Sequence, residues 1–122
     1  FGMHIIPRAI EEDRVFAYPF HGYWRDVGTI QSYWETNMDI IRPESEISPE
    51  EWGIRPNTEA EGRPMDRAPG RFIRGSVVKS SLISAGCVIE GLVENSVLSP
   101  GVIVKKGAVV RDSVLFEDCV VE

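Results

Sequence analysis

Residues 75 to 122 read GSVVKSSLISAGCVIEGLVENSVLSPGVIVKKGAVVRDSVLFEDCVVE, and this stretch decides the fold. Counted in steps of six, one register holds only aliphatic residues: Val97, Ile103, Val109, Leu115 and Val121. Two residues before each of these stands a small one: Asn95, Gly101, Gly107, Ser113 and Cys119. The pairing recurs upstream as Gly75/Val77, Ser81/Ile83 and Cys87/Ile89, offset by two residues near Gly91 and Leu92. A repeat of this period predicts a parallel β-helix.

The pairing of a large with a small residue follows from strand geometry. Residues i and i−2 of a strand share a face, so each side offers the interior one aliphatic and one small side chain, and a second large one would overpack it. The remaining positions are expected to face outward, and several are apolar: Leu98, Val102, Val104, Val110, Val114, Phe116 and Val120. We therefore expect at least one side of the coil to pack against another domain or subunit.

Composition narrows the class of protein. The chain has 122 residues, a net charge of −6, 26% charged and 43% hydrophobic residues, as in ordinary globular domains. The negative charge argues against a nucleic-acid partner. No apolar run approaches the ~20 residues of a membrane span, and no signal peptide opens the chain. Cys87 and Cys119 occupy small inward positions and are expected to be buried free thiols, in a reducing, cytoplasmic compartment.

The rest of the chain divides into two parts. Strands are predicted over Val15 to Phe20 and around Tyr23 and Trp24. A helix is predicted from an N-cap at Thr29 to just before Pro43, with an apolar stripe at Ile30, Trp34, Met38 and Ile41. Residues 43–70 are rich in proline and acidic residues, which indicates a connector, with Trp52 to Arg55 as an apolar docking segment. The predicted division is 1–42, 43–70 and 71–122.

The segment that carries chemistry is GYWRDVGTI, residues 22–30. The carboxylate of Asp26 follows two aromatic residues and precedes a glycine turn that opens a helix. An oxygen ligand near a helix N-terminus suits Mg²⁺ shared with substrate phosphates. The same arrangement is also compatible with a purely structural aspartate.

This segment, with SYWETNM at 32–38, closely resembles the glucose-1-phosphate adenylyltransferase family. Phe1-Gly2 followed by Ile5-Ile6-Pro7, and Trp52 to Arg55, resemble that family in the same order. The resemblance implies the tail of an α/β nucleotidyltransferase domain followed by a left-handed parallel β-helix. It further implies a homotetrameric enzyme that makes ADP-glucose and pyrophosphate from ATP and glucose 1-phosphate for glycogen or starch synthesis, under allosteric control.

The resemblance also implies individual roles. Asp26 would be a catalytic metal ligand for Mg²⁺, Trp24 would lie beside the glucose phosphate, and Phe1 and Tyr23 would line the sugar side. The family's glycine-rich nucleotide loop, its other metal-binding aspartate and its sugar-phosphate lysine have no counterpart in these 122 residues. The chain has no initiator methionine and stops in register without a cap, so we expect a piece of a longer protein that is inactive alone.

Three alternatives remain open. The chain could belong to another sugar-phosphate nucleotidyltransferase. It could belong to a hexapeptide-repeat acyltransferase, but those enzymes use a histidine on or near the coils, and both histidines, His4 and His21, precede them. It could act only in assembly and regulation, with Lys105, Lys106 and Arg111 either meeting an anionic effector or serving as solvated corners.

Overall fold

The structure is a computed structural model of the chain, and it describes residues 1–48, 51–53, 59–60, 63–64 and 67–122. Helix α1 spans Ile5–Glu12 and helix α2 spans Ile30–Ile41. Strands β1 (Glu59–Ala60) and β2 (Arg63–Pro64) form an antiparallel pair within the predicted connector. Ile54 and Arg55, half of the predicted docking segment, lie outside the described residues.

Both helices begin where their sequences allow. Pro7 stands in the first turn of α1, where its missing N–H would have had no partner within the helix. Thr29 caps α2 as predicted: its side chain accepts a hydrogen bond from the Ser32 N–H, and the Ser32 side chain accepts one from the Thr29 N–H. This reciprocal pairing is a capping box. The helix ends at Ile41, two residues before Pro43.

The strands predicted in the N-terminal region are absent from the structure. Residues 14–20 and 23–28 adopt no regular secondary structure. The reason is that a strand needs a hydrogen-bonded neighbour, and no described segment pairs with either stretch. β-propensity alone does not supply that neighbour. The prediction of strands at Val15 to Phe20 and at Tyr23 and Trp24 was therefore wrong.

From Arg71 onward the chain forms ten short strands: β3 (Arg71–Phe72), β4 (Val77–Lys79), β5 (Leu82–Ile83), β6 (Val88–Ile89), β7 (Leu92–Glu94), β8 (Val97–Leu98), β9 (Ile103–Val104), β10 (Val109–Arg111), β11 (Val114–Leu115) and β12 (Val120–Val121). They form three parallel sheets, with orders β12-β9-β6-β3, β10-β7-β4 and β11-β8-β5. Each strand from β6 onward pairs with the strand three before it, so the chain winds around one axis. The predicted parallel β-helix is confirmed.

The interior is lined by one aliphatic residue from almost every strand: Val78, Ile83, Ile89, Val93, Leu98, Val104, Val110, Leu115 and Val121. The six-residue register predicted this correctly for Ile83, Ile89, Leu115 and Val121. It was wrong by one residue for Val77, Val97, Ile103 and Val109, because the next residue in each case points inward. Val109 is 54% exposed, whereas Val110 is 4% exposed.

A shorter corner explains this shift. Three steps between inward residues take five residues instead of six: Val78 to Ile83, Val93 to Leu98, and Val110 to Leu115. Each of these corners contains a non-glycine residue with left-handed φ, namely Ser80 (42°), Asn95 (47°) and Asp112 (46°). Asn and Asp adopt this conformation more readily than most residues. A full coil such as Leu92 to Val109 therefore takes 17 residues and not 18, and a strict six-residue count falls one residue out of register with the inward positions.

The predicted two-residue offset near Gly91 is confirmed. Val77 pairs with Leu92, so that coil takes 15 residues, and the corner between Ile89 and Val93 is the short one. A Cβ on Gly91 would lie 2.7 Å from the carbonyl oxygen of Lys105 and closer still to that of Ala108. The shortened corner thus presses against the corner of the next coil, and only glycine fits there.

Small residues share the interior as predicted, with the same shift at some positions. Ser81, Cys87, Ser113 and Cys119 hold predicted positions, whereas Ser96, Val102 and Ala108 replace the predicted Asn95, Gly101 and Gly107. The Ser96 N–H donates to the Ser81 hydroxyl and the Ser113 N–H to the Ser96 hydroxyl, each at 3.1 Å. Both cysteines are free as expected, and burial raises the pKa of the Cys87 thiol, so it stays protonated.

The predicted apolar exterior is therefore smaller than expected. Leu98, Val102, Val104 and Val110 are core residues, not outward ones, whereas Phe116 and Val120 are exposed, as predicted. One side of the coil packs on α2 of the same chain. The Trp34 indole N–H donates to the Asp112 carbonyl oxygen at 2.8 Å, and the Tyr33 and Phe116 rings stack with centroids 6.1 Å apart. Neither helix in the described part of the chain could span a membrane.

Candidate functional site

The predicted site segment, Tyr23 to Asp26, lies alongside helix α2. Its odd-numbered residues bind the helix. The Tyr23 hydroxyl donates to Asp39 Oδ2 at 3.0 Å, and the Arg25 guanidinium donates to the same oxygen through Nε at 3.2 Å and Nη2 at 2.9 Å. A further Arg25 nitrogen, Nη1, lies 2.9 Å from Glu35 Oε2. The backbone is therefore fixed to α2 at two positions separated by one residue.

The even-numbered residues of the segment are left free of the helix. Trp24 is 74% exposed and Asp26 is exposed. Neither side chain has a hydrogen bond or ion pair within the part of the chain that the structure describes. Trp24 and Asp26, two of the predicted site residues, are thus both exposed in a segment that Tyr23 and Arg25 bind to α2.

Asp39 is the buried centre of this arrangement. It is 8% exposed, and Arg42 Nη1 donates to its second oxygen, Oδ1, at 2.8 Å. Burial by itself raises the pKa of the Asp39 carboxyl, but the hydrogen bonds from Arg25 and Tyr23 and the charges of Arg25 and Arg42 outweigh it. The pKa of Asp39 therefore lies below its ordinary value, and the group is an anion at neutral pH.

Sequence reasoning missed Asp39 and Glu35. No pattern in the sequence marked Asp39, because the residue after a buried helical position lies about 100° further around the helix and needs a partner only if it too is buried. The stripe itself was only partly correct. Met38 is 2% exposed, but Ile30 at the start of the helix is 90% exposed. Ile30 instead lines an open apolar groove of about 520 Å³ together with Val27 and Phe116.

Phe1 and Tyr23, the remaining predicted site residues, are placed differently from each other. Phe1 is 89% exposed and its carbonyl oxygen accepts hydrogen bonds from the Ile5 and Ile6 N–H groups at the start of α1. Within the described residues, no hydrogen bond, ion pair or ring stacking joins Phe1 to the segment around Asp26. Tyr23 is half-buried, with its ring 6.4 Å from that of Trp52.

The residues around Asp26 fit a metal ion only as one part of its coordination shell. Across the described ranges, no group of three or more His, Cys, Asp and Glu side chains could hold a cation. Asp26 offers a single exposed carboxylate beside Gly28, where even a Cβ would stand 3.6 Å from Asp26 Oδ1. Mg²⁺ in phosphate-transfer sites commonly takes one or two carboxylates, with waters and substrate phosphates as its other ligands. The lone, exposed carboxylate of Asp26 suits that arrangement.

Two of the three basic residues proposed for an effector have local partners. Lys105 pairs with Glu122, and Arg111 Nε lies 3.1 Å from Glu94 Oε2. Both pairs join neighbouring coils. Lys106 is exposed at the corner before Gly107. These contacts are those expected of solvated corner residues.

Comparisons with known proteins give two matching family models. Residues 1–42 match a model described as nucleotidyl transferase, and residues 68–122 match one described as GlmU-like, C-terminal hexapeptide. The two matched regions lie on either side of the segment that joins α2 to the β-helix.

Curated relatives match both parts at once. A glucose-1-phosphate adenylyltransferase of Clostridium perfringens is 44% identical over 100% of this chain and 31% of its own length. Proteins of the same name from Acetivibrio thermocellus and Clostridioides difficile are 46% and 47% identical, over 99% and 98% of this chain and 28% and 30% of their own lengths. The chain thus spans about a third of the length of these relatives. It belongs to the glucose-1-phosphate adenylyltransferase family.

Proposed function

We propose that the chain is part of an enzyme that makes ADP-glucose and pyrophosphate from ATP and glucose 1-phosphate, for glycogen or starch synthesis. The observation that carries the proposal is that Trp24 and Asp26 are both exposed in a segment that Tyr23 and Arg25 bind to α2. Identity of 44–47% to relatives of that name, along essentially the whole chain, supports the same reaction.

The reaction assigns a task to each of these side chains. An oxygen of the sugar phosphate attacks the α-phosphorus of ATP, a new P–O bond forms, and the bond to the β-phosphate breaks so that pyrophosphate leaves with the electron pair. Catalysis of such a step depends on positioning and on charge stabilisation. A divalent cation, in this proposal Mg²⁺, would supply positive charge to the phosphates. Asp26 would hold that cation, and Trp24 would lie beside the glucose phosphate, with Phe1 and Tyr23 on the sugar side.

The same proposal covers the organisation of the chain. Residues 1–42 would belong to the nucleotidyltransferase domain, 43–70 to a connector, and 71–122 to a β-helix domain that serves assembly and regulation. The parent protein would be a cytoplasmic homotetramer. Packing of α2 on β8 supports a direct mechanical link between the site segment and the β-helix.

The decisive experiment is Asp26→Asn in the full-length protein. Replacing the carboxylate by an amide removes the charge that would hold the cation, so we expect kcat to fall by about 10²-fold or more. Pyrophosphate release with ATP and glucose 1-phosphate measures it. Asp13→Asn, an exposed aspartate after α1, is the matched control and should keep wild-type turnover. An unchanged kcat in Asp26→Asn would return Asp26 to a structural role.

A second candidate is another sugar-phosphate nucleotidyltransferase, because the model matching residues 1–42 carries a description that names no particular nucleotide. Nucleotide choice separates the two. With glucose 1-phosphate held constant, the proposed enzyme should release pyrophosphate far faster from ATP than from UTP, CTP, GTP or dTTP. A preference for any of the other four would move the chain to the second candidate.

A further inference from the structure

The starting observation is where the partners of Asp39 come from. Three of the four hydrogen bonds to its carboxylate come from Tyr23 and Arg25, which lie 16 and 14 residues earlier in the chain. The fourth comes from Arg42, within the same helix end. A buried carboxylate that served only its own helix would need no donors from the segment before it. Asp39 instead joins α2 to the one segment that carries the candidate site.

Arg25 contacts helix α2 at two points. Its guanidinium reaches Asp39 and Glu35, which are four residues apart and therefore neighbours on one face of α2. A rigid, planar group held at two points of the helix fixes both the position and the orientation of its own backbone. The Tyr23 hydroxyl adds a third contact to α2, from the residue that precedes Trp24.

The consequence concerns Trp24 and Asp26. Tyr23 and Arg25 hydrogen-bond to Asp39, whereas Trp24 between them and Asp26 after them make no hydrogen bond to it and are both exposed. Release of Arg25 would free the peptide that carries Asp26. A displacement of the order of 1 Å at a reacting group can cost about 10²-fold in rate.

We propose that Asp39 is a positioning residue, which holds Tyr23 and Arg25 against α2 and thereby presents Trp24 and Asp26 to glucose 1-phosphate and the cation-bound phosphates. This inference rests on the proposed function and extends it to a residue without contact to either substrate. It also commits the hydroxyl proton of Tyr23 to Asp39, so that Tyr23 could meet the sugar only through its ring or as a hydrogen-bond acceptor.

The test is Asp39→Asn in the full-length protein, with Arg42→Gln as the matched control. Asparagine keeps the shape of the side chain but removes the charge that binds Arg25. We expect kcat/KM for glucose 1-phosphate to fall at least 10-fold. Arg42→Gln removes a partner of Asp39 that lies outside the site segment, so kcat/KM should stay within twofold of wild type.

A spectroscopic measurement separates positioning from general stability. In a variant whose only tryptophan is Trp24, Asp39→Asn should lower the steady-state fluorescence anisotropy of Trp24 at a temperature well below unfolding. A residue that merely stabilises α2 would leave the Trp24 anisotropy unchanged. Either an unchanged anisotropy or an unchanged kcat/KM would overturn the inference.

The outcomes also separate this inference from the proposed function. If Asp26→Asn loses turnover but Asp39→Asn does not, positioning by Asp39 is wrong and the proposed function stands. If Asp26→Asn keeps full turnover, the proposed function fails first. Should Asp39→Asn not fold, Tyr23→Phe tests the inference instead, because it removes one hydrogen-bond donor to Asp39 and keeps the aromatic ring. A loss of threefold or more in kcat/KM supports the inference, and a value within twofold of wild type overturns it.

Discussion

The β-helix and the N-terminal region achieve order in different ways. In the β-helix, parallel ladders and an interior of fully buried side chains such as Ile89, Val93 and Leu98 hold successive coils together. Of residues 1–42, only Met38 and Asp39 are buried. The N-terminal region is organised around a buried charge, whereas the β-helix is organised around a continuous apolar interior. The candidate site lies in the region where order depends on a few polar contacts.

The difference teaches where substitutions should matter and in which way. Apolar burial contributes roughly in proportion to area and is spread over many residues. A cluster of charges is concentrated, and removal of one partner leaves the others buried and unpaired. Changes in the β-helix should therefore be felt mainly as stability, and changes around Asp39 mainly as altered geometry of the site.

The largest expected effect is a cavity in the β-helix. Leu98→Ala removes a fully buried side chain, and large-to-small core changes of this kind cost about 2–5 kcal/mol of unfolding free energy. Leu82→Ala, one coil earlier in the same sheet, is the matched control, because Leu82 is 44% exposed and lies on the outer face. Its cost should stay below about 1 kcal/mol. Urea denaturation measures both, and equal costs would contradict the assigned register.

A smaller effect is expected at the contact between the two regions. Trp34→Phe keeps most of the ring but loses the indole N–H that donates to the Asp112 carbonyl oxygen. The loss should cost on the order of 1 kcal/mol. Trp24→Phe, at the exposed site position, should leave the unfolding free energy almost unchanged. If both changes cost the same, Trp34 does not join α2 to the β-helix as described.

The smallest expected effect is a dependence on pH at an ion pair between Arg67, before the first strand of the β-helix, and Asp118, in its last corner. The Arg67 guanidinium binds both carboxylate oxygens of Asp118, at 2.6 and 2.9 Å, and holds the pKa of that carboxyl below its ordinary value. A lowered pKa in the folded state means that the stabilisation is fully present above the unfolded value of about 3.9 and is lost as pH falls through the folded value. The exposed pair should be weak.

Asp118→Asn tests this directly, because asparagine tolerates the left-handed φ of 57° at that corner. Wild type should melt slightly above the variant at pH 7, and the difference should shrink progressively as the solution is acidified below about pH 4. Thermal unfolding at several pH values measures it. A difference that grew on acidification would have the wrong sign for a lowered pKa.

Much of the fold was predictable because a solenoid repeats its local chemistry. Each coil must place a large and a small residue inside, so the pattern of Ile83, Ile89, Leu115 and Val121 could be read without coordinates. The cap at Thr29 was equally local, since one side chain and one amide settle it. The one-residue errors at Val97, Ile103 and Val109 arose at corners whose length depends on backbone conformation, which the count of residues does not show.

The candidate site was likewise predictable only in part. Trp24 and Asp26 became candidates through the resemblance of residues 22–30 to a known family, and their roles stay a prediction. Asp39 was not found, since its role depends on Tyr23 and Arg25 reaching it across the fold. The strands predicted before the motif failed because pairing partners are a property of the assembled chain.

Sequence by itself determined the parallel β-helix, its two-residue offset at Gly91, the cap of α2 and the family of the chain. These follow from interactions between residues close in sequence or repeated at a fixed spacing. Only the tertiary structure decided the five-residue corners, the packing of α2 on β8 and the binding of Tyr23 and Arg25 to Asp39. Those features join residues distant in sequence, where the chain offers several partners of the right chemistry and only packing selects among them.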